Sequence, residues 1–585
     1  MLLATRRKRS WLGIVPAVLA LVACAPAHDS VPPLAAPRTS TVPKGAFVSD
    51  ENDPKTWVRR LEDPVQRGPA VKHFRDLFDA ALLNAEKNRE DAKVKALLDA
   101  MVAPLTLLYA DGAVQDDETR QDLLALLADT HDPRTAPALA KALGEDPKTR
   151  PDEVKLAAQA TTTLAREGKA LDVRLVDALW ECFAKFRASQ AKSFGLVGAL
   201  HDSVLAVKHP SYGPKAVEML SDAIDPQSPT SRLDRVQFWQ ATSIQVLGEL
   251  KYGAAARPLV ATLLTPAKSD LRPTVRSALQ RMPNEAEGPL IAALKGTDPE
   301  FAKLASAFPD KAYVGVLAEI LGYLSRNRGR DALVEALASA DNDQNRTLLA
   351  MNLVRFPPER GSETAFLVAY KKVDPKSYLP LMGGRNARAL LLRASANFYD
   401  PKLVDWLVKE KRAAKGDQVD EVTSDALDSL IKLMKPDQVK TVGLEVGKLA
   451  GLAVEKDKFK AASKVVEQCN VDASCYVRVL DQPVPPSPES AKMGAIKACG
   501  MAAMLGNETT RKDLLGKVDK IQEASVRLAL VEAIDHLAPK GDLAAADVLE
   551  KIVQADAASA NKAMLRPVDD QVMKIALSLR SRATQ

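Results

Sequence analysis

Apolar residues recur along most of this chain at the three- and four-residue spacing that lays them on one face of a helix. Val275, Ala278, Leu279 and Met282 fall at i, i+3, i+4 and i+7, and Leu317, Ile320, Leu321 and Leu324 do the same. Near the C-terminus the pattern returns in Val526, Ala529, Leu530 and Ala533, and again in Ala545, Val548, Leu549 and Ile552. No stretch alternates apolar and polar residues for long enough to propose a sheet. The spacing therefore predicts an all-α fold, its first helix opening at Asp53-Pro54, where proline occupies a position that needs no backbone donor.

The helical stripes are broken at regular places. Asp132-Pro133-Arg134 precedes Ala136 to Leu143, Gly288-Pro289 precedes Leu290 to Leu294, and Arg328-Gly329-Arg330 precedes Leu333 to Leu337. Asp400-Pro401-Lys402 and Lys435-Pro436-Asp437 continue the series. Corresponding residues Leu259, Leu290, Leu333, Leu367, Leu403 and Val439 lie about thirty to the low forties of positions apart, the period of a two-helix repeat. From 345 to 490 the register is less regular. Leu480 to Glu489, carrying Pro483, Pro485, Pro486 and Pro488, cannot be helical and predicts a boundary at 481–488. The expected organisation is a helical array over 54–480 and a second helical block over 489–585.

The run Asp132-Pro133-Arg134-Thr135-Ala136-Pro137-Ala138-Leu139 with Ala142-Leu143 resembles a HEAT repeat. So do the helix starts Val154 to Ala158, Val275-Arg276-Ser277-Ala278-Leu279 and Val526-Arg527-Leu528-Ala529, most closely in the short bacterial, lyase-associated form. The likeness is best over 113–345 and fair over 490–575. It implies an α-solenoid of stacked antiparallel helix pairs used as a protein-binding scaffold.

The N-terminus changes the picture by giving the chain an address. Arg6-Arg7-Lys8-Arg9 followed by an apolar run from Trp11 to Leu21 has the layout of a signal peptide, too short to span a bilayer. Leu21-Val22-Ala23-Cys24 resembles the lipobox of bacterial lipoproteins, which implies cleavage after residue 23 and acylation, including a palmitate-type chain, of Cys24. Residues 24–53, rich in Pro, Ser, Thr and Ala, read as a flexible tether. Ala25 in place of Asp after the acylated residue points to the outer membrane, with the face left open.

Charge and composition exclude more than they assign. Hydrophobic residues make up 46% and aromatic ones 5%, so the core must be built from Ala, Leu and Val. Removing the four basic signal residues leaves 77 basic against 75 acidic side chains, too even a balance for nucleic-acid binding. The six histidines form no zincin pair, and neither a phosphate-cradling glycine loop nor a nucleophile elbow occurs. No catalytic residue, metal ligand or cofactor is expected. His201-Asp202-Ser203 holds the residue types of a hydrolase triad, but neighbours on a helix point in different directions. Arg385 and Arg388, after Met382-Gly383-Gly384, are expected at a helix start behind a helix that ends on left-handed glycine.

Export makes cysteine pairing possible. Cys469 and Cys475 are six apart, about 9 Å of rise in one helix, so a bond between them demands a break, which Asn470-Val471-Asp472-Ala473-Ser474 supplies with Ser474 as the expected cap. Cys182 and Cys499 lie on apolar helices and are expected as small buried side chains, as are Trp180, Trp239 and Trp406 as core. The expected function is a monomeric, lipid-anchored envelope scaffold holding a protein or peptide segment on the concave face of the array. The alternatives are a lyase-like or peptidoglycan-acting enzyme and a structural spacer.

Overall fold

In the computed structural model the described residues are 53–186, 194–222, 238–308, 311–356, 361–414, 419–448, 453–483, 489–559 and 562–585. The signal segment, Cys24 and the tether up to residue 52 lie outside them, as do residues 484–488 of the proline-rich stretch. Among the described residues the chain is all-α: 77% of it is helical, in 29 helices, with a single pair of two-residue strands, Tyr378–Leu379 and Arg385–Asn386. No helix among them is long and apolar enough to cross a membrane.

Helix starts follow from local chemistry. Asp53 accepts from the Lys55 amide and Pro54 opens the helix Pro54–Arg60. Asp132 accepts from Arg134, and the tight turn Pro133–Thr135 feeds into Ala136–Leu143. In Tyr313–Leu324 the stripe Leu317, Ile320, Leu321 and Leu324 is buried, each leucine or isoleucine contributing about 2 kcal/mol by leaving water. The helix Leu543–Ala557 differs from its expected face: Ala545, Ala546 and Leu549 point inward and Val548 is exposed. Val548 lies three positions beyond Ala545, at the edge of a stripe that the small Ala546 fills instead.

Each helix of one series packs on another that follows it after one, or in places two, intervening helices. Pro151–Arg166 lies on Phe194–Val207, which meets Ala241–Glu249, which meets Arg272–Gln280. The series runs on through Tyr313–Leu324, Asp343–Leu353, Ala387–Ser395, Val419–Leu433 and Ala453–Cys469. Helices Glu489–Leu505, Ala524–His536 and Lys562–Ala583 complete it. A second series, including Ala256–Leu263, Pro283–Lys295, Asn327–Ala338 and Ser362–Lys372, packs in the same order alongside. The helices on the two sides of the proline-rich stretch, Ala453–Cys469 and Glu489–Leu505, are in extensive contact.

The first series closes on itself. Lys562–Ala583 packs on its predecessor Ala524–His536 and also on Tyr313–Leu324 and Arg272–Gln280 in mid-chain. Tyr323 Oη donates to Gln571 Oε1 at 2.8 Å across 248 positions, while the Tyr323 ring lies under Arg355 at 3.7 Å and Lys574 at 5.1 Å.

Charged groups hold some helix pairs together from inside. Glu445, on Val439–Gly447, is fully buried; its Oε2 accepts from Lys411 at 3.0 Å and its Oε1 from Lys448 at 2.8 Å and from Arg412. These cations hold the Glu445 carboxyl down at about 2, Arg412 contributing most.

Cys469 and Cys475 are bonded, with α-carbons 5.3 Å apart. The helix Ala453–Cys469 ends, Asn470 turns with φ of 50°, and Ala473–Val479 begins. The cap is Asp472, which accepts from the Ser474 amide, and not Ser474 as expected: Ser474 falls inside the first turn and its hydroxyl bonds Asp472 instead. Cys182 and Cys499 are free and buried, Trp180 and Trp239 are buried, and Trp406 is partly so.

Candidate functional site

The closure of the first series builds a cleft of about 1000 Å³. Four consecutive helices of the series form one wall, and residues Arg566, Asp570, Met573, Lys574 and Leu577 of the C-terminal helix form the other. The wall is tight where Gly248 meets the next helix: a Cβ there would stand 2.9 Å from the Ala278 α-carbon. Glycine is needed at that position because the two backbones approach too closely for a side chain.

Six cations and three carboxylates line the cleft. Two carboxylates are each shared by two cations. Glu249 accepts from Lys208 at 3.1 Å through Oε2 and from Arg281 at 3.1 Å through Oε1. Glu319, just behind the wall, holds Arg276 at 2.7 Å and Lys574 at 3.6 Å, both through Oε1. Burial, with Arg276 close by, lowers the affinity of Lys574 for its proton against the opposing pull of Glu319. Gln280 lines the same space, is 3% exposed, and its Nε2 has no hydrogen-bond partner.

On the other side of the C-terminal helix lies a smaller cavity of about 140 Å³, among whose lining residues are Arg355, Tyr399, Glu532, Asp535, His536 and Arg582. Burial pushes the Glu532 carboxyl and the Tyr399 hydroxyl up. Arg582 donates to Asp535 Oδ1 at 2.6 Å and to the Ala538 carbonyl at 3.1 Å, and the Tyr399 ring packs on His536 at a tilt of 45° with ring centres 4.7 Å apart. Tyr399 holds a φ of 52°.

The residues singled out in the sequence are dispersed. His201 Nδ1 meets Thr242 Oγ1 at 3.0 Å, Asp202 points into the large cleft, and Ser203 is fully buried, so the three do not converge. Gly383 ends a tight turn in the left-handed conformation as expected, but that turn is the short Pro380–Met382. Arg385 stands on a strand, not at a helix start, and pairs with Glu421 at 3.0 Å and with Asp425. Arg388 does lie in the first turn of Ala387–Ser395, donating to the Val373 carbonyl at 2.9 Å. Arg385 is thus neutralised within the chain by two carboxylates. Arg276, Arg281, Gln280 and Lys574 carried no local signal, because the cleft exists only where segments about three hundred positions apart meet.

No group of three or more His, Cys, Asp or Glu side chains among the described residues is placed to hold a metal ion. No protein-family model matches the chain, and no curated protein matches it.

Proposed function

We propose that this protein is a lipid-anchored scaffold of the bacterial envelope, a HEAT-type α-solenoid that holds a segment of another protein in the cleft between its central helices and its C-terminal helix. The largely next-but-one packing of both helix series supports the solenoid reading, since stacked antiparallel pairs put alternate helices on the same side. The observation that carries the function is the cleft itself, large enough for an extended segment and lined by paired charges and amides. The lipobox at Leu21 to Cys24 supports attachment through acylated Cys24.

Two measurements test the reading. Cys24→Ser should move the protein from the detergent-soluble membrane fraction to the soluble one. A benzophenone amino acid placed at Ser277 in the cleft should crosslink a defined partner in intact envelopes, and one at Lys141, exposed on another helix, should not. Equal capture from both positions, or unchanged fractionation, sinks it. The enzyme alternative rests on the smaller cavity, where burial keeps Glu532 protonated more readily beside His536 and Asp535. Turnover abolished by Glu532→Gln would establish it.

A further inference from the structure

We infer that the large cleft takes an extended acidic peptide segment; this rests on the scaffold reading and names the chemistry of its partner. The first observation is the arrangement of charge. Lys208–Glu249–Arg281 and Arg276–Glu319–Lys574 are each two cations around one carboxylate, so each keeps one positive charge unneutralised. Of the remaining lining charges, Arg166 and Arg566 are matched in number by Asp202 and Asp570, which leaves the excess at the two triads. Low-dielectric walls on both sides of a cleft concentrate such a field.

The second observation is placement. Arg276 and Arg281, five residues apart on one stretch of helical backbone, diverge by about 140° around its axis. They meet carboxylates on two different neighbouring helices, Glu319 on Tyr313–Leu324 and Glu249 at the end of Ala241–Glu249. Two separate acidic side chains along one extended segment therefore answer the two triads.

The third observation is the chemistry of the lining. Among the described residues that line the cleft there is no aromatic ring, so neither a stacked base nor a sugar face has a platform, whereas Gln245, Thr274 and Ser277 offer peptide-like donors and acceptors. The lining favours a peptide over another polyanion.

The experiment uses the mature full-length protein and a short fluorescein-labelled peptide of alternating Glu and Ala, read by fluorescence anisotropy. The Glu peptide should bind at least about tenfold more tightly than the same peptide with Gln, and weaken as salt is raised. Arg281→Gln and Lys574→Gln each remove one triad's excess charge while leaving its carboxylate a partner; each should weaken binding about tenfold with the helical circular-dichroism signal unchanged. Lys141→Gln should leave it as it is. Equal affinity for the Gln peptide, or full affinity in both cleft variants, overturns the inference. So does a sulfated oligosaccharide that displaces the labelled peptide at lower concentration than the unlabelled Glu peptide does. Failure here is separable from failure of the scaffold. Capture at Ser277 in the envelope without Glu-peptide binding removes the acidic class alone; Glu-peptide binding without capture keeps the cleft chemistry and removes the scaffold.

Discussion

Glu445→Gln isolates one buried charge whose worth is readable from its surroundings. The substitution keeps the side chain's shape and removes its charge, leaving Lys411, itself 6% exposed, with the Glu445 backbone carbonyl at 3.1 Å and one neutral amide oxygen for which Arg412 and Lys448 also compete. The carboxyl is held at about 2 against an ordinary value of 4.5, a displacement that converts to about 3 kcal/mol at 1.36 kcal/mol per unit. Arg412 and Lys448 are more than half exposed, so solvent screens their share and about 2 kcal/mol remains. Because the folded value lies below the unfolded one, this stabilisation is complete above about pH 4.5 and disappears as pH falls towards about 2. A chain of 585 residues does not promise two-state unfolding, so the primary assay is local: hydrogen exchange of amides in Leu403–Ala413 and Val439–Gly447. A loss of about 2 kcal/mol speeds exchange there about thirtyfold at neutral pH, and the difference in Tm between the two proteins should shrink as acid is added. Unchanged exchange at neutral pH, or a Tm difference that does not vary with acid, refutes the argument.

Three further outcomes follow from the packing. Non-reducing peptide mapping should recover Cys469 joined to Cys475, and replacing both by Ser should cost about 2 kcal/mol of local stability around Ala473–Val479, seen as faster exchange there. Gly248→Val forces apart the helices Ala241–Glu249 and Arg272–Gln280, at a cost of about 1–3 kcal/mol that a lowered Tm reports, and Gly248→Ala should cost less because it gains helix propensity. Tyr323→Phe removes the hydroxyl bond to Gln571, about 1 kcal/mol, and should make Lys562–Ala583 cut faster by protease under native conditions while leaving the Arg355 ring contact.

The local level of the structure was legible in the sequence. Val275, Ala278 and Leu279 are buried as their spacing predicts, because a helix on a core has few ways to place such a stripe. The break between Cys469 and Cys475 was legible for a similar reason, since bond geometry forbids a continuous helix. Its cap was not: Asp472 and Ser474 both suit the role, and only the backbone at Asp472 decides it. The arginines of the 383–388 region show the limit of reading a loop alone, because the partners that neutralise Arg385, Glu421 and Asp425, lie some forty positions later. The cleft was invisible for the same reason on a larger scale. Nothing in the local pattern of Arg276 or Lys574 says that both reach Glu319.

The contact of Lys562–Ala583 with Tyr313–Leu324 also bears on how the chain acquires its native state. Where each helix pair touches only its neighbours, order spreads from any nucleus and a partial chain is already a working fragment. Here the lysine that completes one triad lies about 250 residues after the tyrosine beneath it, so this contact closes a long loop and cannot form until the last helix is present. Until the last segment docks, Tyr323 has no Gln571 and the cleft has one wall. The cleft is thus completed only by the last helix, and a chain stopped before residue 562 would lack its second wall.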